Sequence, residues 1–288
     1  MKIKGLRWWI IALVTVGTIT NYLSRSALGI AAPTLIKELG ISQQQYSYVV
    51  SAFQATYALA APVVGYVIDI IGVKWGIAIF AIAWSIANMA HGTAGGWQSL
   101  AFWRGTMGVT ESSANPAGMK VVAEWFPAKE RGLACGIYSM GTSLGAMLAP
   151  PLVVWAILEY NWEMSFIITG AIGLIWVALW LFFYQSPEKN PALSDEERIL
   201  IADGQIKSTE KIQRVKLKDM LTNRNLWGIS LPRFMADPAW GTLHYWMPLY
   251  LVTERHLDMA HVAMFTWLPF LTSDLGCLFS GIMARYLN

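Results

Sequence analysis

The chain has 288 residues, of which 55% are hydrophobic and 14% charged, against about 25% charged in an average soluble domain. Of its charged residues, 15 fall in the 41 residues from Gln185 to Asn225. The rest of the chain therefore cannot cover a water-facing surface, and a disordered chain would not be this apolar. The net charge of +3 comes with no separate basic stripe of the kind that suits a nucleic acid.

The apolar residues recur in blocks of membrane-spanning length, which predicts a polytopic, all-α integral membrane protein. Eight spans are expected, at roughly Trp8–Ala32, Tyr46–Asp69, Trp75–Ala90, Trp97–Ala123, Gly132–Leu158, Met164–Tyr184, Leu226–Val252 and Val262–Tyr286. Each must be helical, because lipid offers no partner for exposed backbone groups. The first span follows Lys2, Lys4 and Arg7, as a signal peptide would. Its length, the Arg25 within it and the spans that follow argue for a retained helix. Fifteen Lys and Arg residues fall on the N-terminal side of the spans and two, Lys37 and Arg255, on the other. That asymmetry places the N terminus in the cytoplasm.

Three segments are expected: a six-helix transmembrane domain over 1–184, a cytoplasmic linker over 185–225, and an incomplete second transmembrane domain of two helices over 226–288. In the linker, Pro187 and Pro191 precede Ser194-Asp-Glu-Glu197, which reads as a capped helix start. Trp8, Trp9, Trp75, Trp97, Trp125 and Trp162 sit at predicted span ends, as an aromatic belt requires. Cys135 and Cys277 lie in apolar runs, so neither a structural disulfide nor a metal site is expected.

An ionisable residue within a span marks function by default, because its burial must be offset. Arg25 and Arg104 each lie seven residues from an external span end, so both sit about 10 Å deep. At 100° per residue, Thr18, Asn21, Tyr22 and Arg25 share one face of the first helix. Arg104, Gly108, Glu111 and Asn115 share one face of the fourth. These stripes read as the walls of a water-filled cavity. Arg25 has no acid on its own helix and calls for an anion, which a substrate carboxylate would supply. Glu111 is suited to carry a proton, or alternatively forms a fixed pair with Arg104. Lys120, on the opposite side, reads as a structural or snorkelling lysine.

On the seventh span Arg233, Asp237, Trp240 and His244 share a face, and Pro232 and Pro238 interrupt the helix. Such broken helices often line transporter sites. Arg233 and Asp237, four apart, are expected to neutralise one another; Trp240 is a candidate stacking platform for a sugar ring. Asp274 on the eighth span is a candidate for ion coupling. Gly141-Thr-Ser-Leu-Gly145 matches a nucleophile-elbow pattern, which admits a rival reading as an intramembrane serine hydrolase with Ser143 and His244. That motif needs a strand–turn–helix context, whereas small residues at this spacing ordinarily pack helices together.

Gly65-Tyr-Val-Ile-Asp69-Ile-Ile-Gly72-Val-Lys74 resembles the loop motif of the major facilitator superfamily, with Ile70 and Val73 where a basic residue is usual. Tyr22-Leu-Ser-Arg25, the Arg104-to-Glu111 spacing and Glu124-Trp-Phe-Pro-Ala-Lys-Glu-Arg131 resemble its anion:cation symporter family. So do Gly5-Leu-Arg-Trp8, Ala149-Pro-Pro-Leu-Val-Val-Trp-Ala-Ile157 and Leu231-Pro-Arg-Phe-Met-Ala-Asp-Pro-Ala-Trp-Gly241.

The resemblance implies a monomeric, multi-pass carrier of the bacterial inner membrane, with a proton as coupling ion and no other cofactor. It would import a hexuronate such as glucuronate or galacturonate by alternating access, or another organic anion such as an aldonate, aldarate or aromatic carboxylate. Under this reading Arg25, Arg104, Tyr22, Asn21, Asn115 and Trp240 bind substrate. Glu111 and Asp274 serve coupling, with protonated Glu111 freeing Arg104 to join Arg25. Gly65, Asp69, Gly72 and Lys74 serve gating. Relatives often carry Asp where Ser24 stands, which shifts the coupling role toward Glu111. They also have twelve spans, so the eight-span chain is expected not to transport by itself.

Overall fold

The computed structural model describes residues 2–202, 222–272 and residue 276. The helices run in the order α1 (Leu6–Glu38), α2 (Gln43–Ile71), α3 (Val73–Ala90), α4 (Trp97–Glu111), α5 (Ala114–Trp125), α6 (Arg131–Glu159), α7 (Trp162–Phe183), α8 (Asp195–Ala202), α9 (Arg224–Thr253) and α10 (Met259–Phe265). Among the described residues, four are long and apolar enough to cross a membrane by length and composition alone: α2, α3 with the turn after it, α6 and α7. Asp274, Cys277 and the rest of the expected eighth span beyond residue 272, save Gly276, lie outside the described residues, as does the linker over 203–221.

The expected fourth span is not one helix. It breaks at Ser112–Ser113, directly after Glu111, into α4 and α5. Pro116 lacks the N–H that would continue the ladder. The hydroxyls of Ser112 and Ser113 donate to the carbonyls of Val109 and Thr110 at 2.7 and 2.8 Å, offering the backbone local bonds in place of the helix.

Helix α1 is the central element: it packs along α6 and α7 and also meets α9, while α2 pairs with α4 and α3 with α7. Its contact with α6 depends on Gly145, where an added Cβ would lie 2.6 Å from the Ile19 carbonyl oxygen. The nucleophile-elbow pattern thus falls within unbroken helix α6, where glycine serves close packing.

Two apolar clusters form. One takes Leu6, Ile10, Ile11 and Val14 of α1 and reaches Trp125, Trp180 and Tyr184. The other takes α1 from Leu23 to Leu35 and reaches Tyr245 and Leu249 of α9. Between them α1 carries buried Thr15, Thr18, Thr20 and Asn21. Trp125 and Trp162 are buried inside these clusters, so they are core residues rather than members of an aromatic belt. Trp9 and Trp75 are exposed.

At the bundle end that carries the N terminus, α8 folds back onto α1. Ser194 accepts from the Glu197 amide at 3.2 Å, starting α8 as its sequence predicts. Residue Gly5 has no side chain with which to cap α1. Glu197 does so instead, accepting from the amides of Leu6 and Arg7 at 3.1 and 3.2 Å. The Arg7 guanidinium then bridges Glu197 at 2.7 Å and Glu130, in the turn before α6, at 2.9 Å. The Lys2 ammonium beside Asp195 holds that carboxyl below the usual carboxylate range.

Glu197→Ala should leave two helix-end amides and a guanidinium short of an acceptor, at about 1–3 kcal/mol. A lowered melting temperature of the purified chain in detergent, with Glu197→Gln milder, is the expected outcome.

Candidate functional site in the polar layer

The arginines of α1 and α4 and the glutamate of α4 meet in this layer. Arg104 and Glu111 are fully buried, and the Arg25 side chain is 14% exposed. The pairing differs from the fixed Arg104–Glu111 pair that the sequence left open: Arg25 Nε donates to Glu111 Oε2 at 2.8 Å. On a helix, residues seven apart lie two turns from one another, whereas Arg25 reaches Glu111 directly across the α1–α4 gap. Arg25 therefore already has a carboxylate partner within the protein. Arg104 turns away from Glu111 and donates to the backbone carbonyl of Arg25 at 2.8 Å, with Met107 Sδ 3.5 Å from its other terminal nitrogen.

Several polar atoms here are left over. Glu111 Oε1, Arg104 Nε and Ser24 Oγ are buried and make no hydrogen bond within the described residues. Asn21 lies beside the Glu111 carboxylate. Buried polar groups ordinarily find partners, so this concentration of spare donors and acceptors suits a polar ligand.

Aromatic rings hold the cations. The Arg25 guanidinium lies 4.7 Å from the Tyr22 ring, 5.1 Å from Phe53 and 5.0 Å from Tyr57. The Arg104 guanidinium lies 4.6 Å from the same Phe53 and 5.6 Å from Tyr245. Phe53, Tyr57 and Tyr245 were not singled out in the sequence; the i, i+4 spacing of Phe53 and Tyr57 on α2 is the signal that carries them. Each such contact stabilises by about 0.5–2 kcal/mol, more as water is removed.

Asn115 stands apart from the ion pair: its amide donates to the Tyr57 hydroxyl at 3.2 Å and its oxygen accepts from Tyr138 at 3.4 Å. Trp240 is placed edge-on to Phe270 at 5.1 Å. Arg233 and Asp237 pair at 3.0 Å, both exposed. His244 is buried, its Nε2 3.3 Å from Ser26 Oγ.

The loop motif lies at the N-terminal end. Gly72, at φ +81°, closes α2 and opens α3. Asp69 pairs with Lys120 of α5 at 2.7 Å, so Lys120 is a structural lysine. Gly65 lies against Pro116 of α5, and the Lys74 carbonyl accepts from the Trp180 indole at 2.9 Å. The motif thus ties α2 and α3 to α5 and α7.

The side chains of α9 from Arg224 to Gly228 and from Ser230 to Ala239 are exposed, while His244, Tyr245, Pro248 and Leu249 are buried. Helix α9 thus meets the rest of the described bundle through its second half, where His244 and Tyr245 contact α1 and α2.

A polar layer of paired charges inside an apolar helical bundle is the architecture of a membrane carrier, and the chain belongs to the Major Facilitator Superfamily, whose family profile matches residues 14–288. It is a multi-pass membrane protein. The chain is 48% identical over 284 residues to the "Hexuronate transporter" of Escherichia coli K12, covering 98% of this chain and 66% of that one. It is also 48% identical to the "Galacturonate transporter" of Dickeya chrysanthemi, covering 98% of this chain and 82% of that one. The chain thus spans just under two thirds of the length of the E. coli relative. A bacterial homologue of the human lysosomal transporter Spinster, solved inward-facing and unoccupied, superposes with a TM-score of 0.80 at 17% identity, covering 99% of this chain and 64% of that one.

Removing one member of a buried ion pair costs about 3–5 kcal/mol, whereas removing both is far milder. Glu111→Ala should therefore lower the melting temperature in detergent more than the Arg25→Leu/Glu111→Leu double variant does. A double variant that melts at or below the single one would contradict the pairing.

Proposed function

We propose that the protein is part of a proton-coupled importer of hexuronates such as glucuronate and galacturonate, working by alternating access in the bacterial inner membrane with the N terminus in the cytoplasm. The observation that carries this reading is the ion pair of Arg25 with Glu111, beside Arg104.

The ionised triad, with two guanidiniums and one carboxylate, has a net charge of +1. A proton on Glu111 and a carboxylate on the arginines together add nothing to it. Proton and sugar acid can therefore enter as a neutral pair, while either alone changes the buried charge by one. In a low-dielectric site that penalty is severe, and it favours joint movement.

The order follows from the partner exchange. Protonation of Glu111 breaks its charge-assisted bond and frees Arg25, rather than Arg104, to take the substrate carboxylate. Arg104, held on the Arg25 carbonyl, supplies the second cation. The side chains of Asn21 and Ser24, with the ring of Tyr22, would meet the sugar hydroxyls and ring. Residues 1–184 and 226–288 would rock about the 185–225 linker, with the Asp69 motif as the cytoplasmic gate. Trp240 on α9 keeps its proposed role as a stacking platform for the sugar ring, and the role of Asp274 in coupling rests on the sequence alone. Two names support the substrate class: the hexuronate and galacturonate transporters that this chain matches. An aldonate is the second reading, supported by 33% identity to the D-galactonate transporter of another Escherichia coli strain.

In proteoliposomes holding the full-length carrier, an inward proton gradient should drive glucuronate accumulation. Losing half of a buried charge pair costs about 2–5 kcal/mol, so Arg25→Ala and Arg104→Ala should each cut apparent affinity roughly 30-fold or more. Glu111→Gln should exchange substrate but not concentrate it. Undiminished uptake by both arginine variants would refute the site, and accumulation by Glu111→Gln would refute the coupling. Competition by galactonate against labelled glucuronate separates the two substrate readings.

A further inference from the structure

His244 belongs to the polar stripe of α9, yet the exchange of partners between Arg25 and Glu111 leaves it without a task. Its ring is buried, with Nε2 against Ser26 of α1 at 3.3 Å, while Nδ1 makes no hydrogen bond. The backbones are in close contact here: a Cβ on Gly29 would lie 2.6 Å from the His244 carbonyl oxygen and 3.3 Å from Tyr245 Cα. One residue on, the Tyr245 carbonyl accepts from the Tyr46 hydroxyl of α2 at 3.0 Å, and Tyr46 meets Trp246 edge-on at 5.3 Å. These contacts join α9 to α1 and α2 at the end of the polar layer away from the N terminus.

The surroundings of the imidazole are one-sided in charge. Its α1 partner Ser26 directly follows Arg25, and the guanidinium of Arg104 on α4 lies 5.6 Å from the ring of the adjacent Tyr245. Its own helix presents the Tyr245 ring at 4.8 Å, and α2 presents Tyr46 through Tyr245. On the α6 and α10 sides a cavity of about 10 Å³ is lined by Ala146, Pro150, Thr266 and Phe270, none of them ionisable, and it has room for about one water. Among the described residues no carboxylate bonds to the ring. A protonated His244 would add a third buried cation to two arginines and one glutamate, with nothing to balance it.

We propose that His244 is a proton-operated latch on the seam between α9 and α1, at the end of the polar layer away from the N terminus. Neutral, it lets α9 rest on α1 and keeps that end shut; on taking a proton from the water on that side it leaves the arginines, and α9 separates from α1. Loss of the proton to the same water lets the end close again. The proposal builds on the carrier function above, but its test reads opening and not transport, so the two can fail separately.

The test uses the complete chain with Cys135 and Cys277 replaced by Ser. A single reporter thiol is placed at Ile30, which is buried and lines the cavity, or at the exposed Gln44 near the same end. Right-side-out and inverted vesicles are treated with a membrane-impermeant maleimide at about pH 5.5 and about pH 8, bracketing the ordinary histidine range. Labelling of Gln44→Cys identifies the vesicle face to read, shows that each variant is inserted, and normalises thiol reactivity at each pH. Normalised labelling of Ile30→Cys should rise on acidification, by up to about tenfold per pH unit for one proton. It should stay low at both values in His244→Gln and in His244→Asn, which keep a polar side chain without the titration. A rise that persists in both variants overturns the proposal, and so does the absence of a rise with His244 present.

Discussion

The bond between Arg25 and Glu111 is the constraint on which the arrangement turns. Each ion taken from water costs several kcal/mol, even after the protein relaxes around it. The pair therefore holds only with its surroundings in place: Phe53 and Tyr57 against the guanidinium, Arg104 on the Arg25 carbonyl, Asn21 beside the carboxylate. Those neighbours come from α1, α2 and α4, so the register of three helices follows from one ionic contact. The break after Glu111 fits the same requirement, because it ends α4 where its carboxylate must turn toward α1.

Around this layer the bundle is built for rigidity on one side and separation on the other. Gly145 lets α6 lie directly on α1, and the indole nitrogens of Trp176 and Trp180 tie α7 to the carbonyls of Leu13 and Lys74. Helix α9 meets α1 at Ser26 and Gly29 through His244 and Tyr245, and Leu249 joins the same apolar cluster.

The helical class, most of the helices and the two arginines of the polar layer were legible in the sequence, because the cost of charge in lipid makes such residues conspicuous. The self-neutralising Arg233–Asp237 pair and the Ser194 cap were legible too, since each is a local matter of three or four residues. What was not legible is partner choice across helices. Angular stripes put Arg104 and Glu111 on one face of one helix, but which arginine a carboxylate takes depends on the distance between helices, and helical periodicity says nothing of that. The same limit hid Phe53 and Tyr245, whose roles exist only where α2 and α9 meet the cations. It also hid Trp125 and Trp162, which read as belt residues by position along the chain and are core by position in space.

The cap on the first helix bears on how the chain is assembled. Domains tend to form in the order in which they are synthesised, and α1 precedes the other described helices in the chain. Yet the carboxylate that completes its opening turn is Glu197, about 190 residues later, with Glu130 reaching the same arginine from between. Until α8 leaves the ribosome, the amides of Leu6 and Arg7 lack their acceptor, and the earliest helix is finished by one of the later ones. The segment that follows α7 is thus part of the first helix's cap as well as a connection, and the turn at Leu6 and Arg7 is completed only once the chain extends through α8.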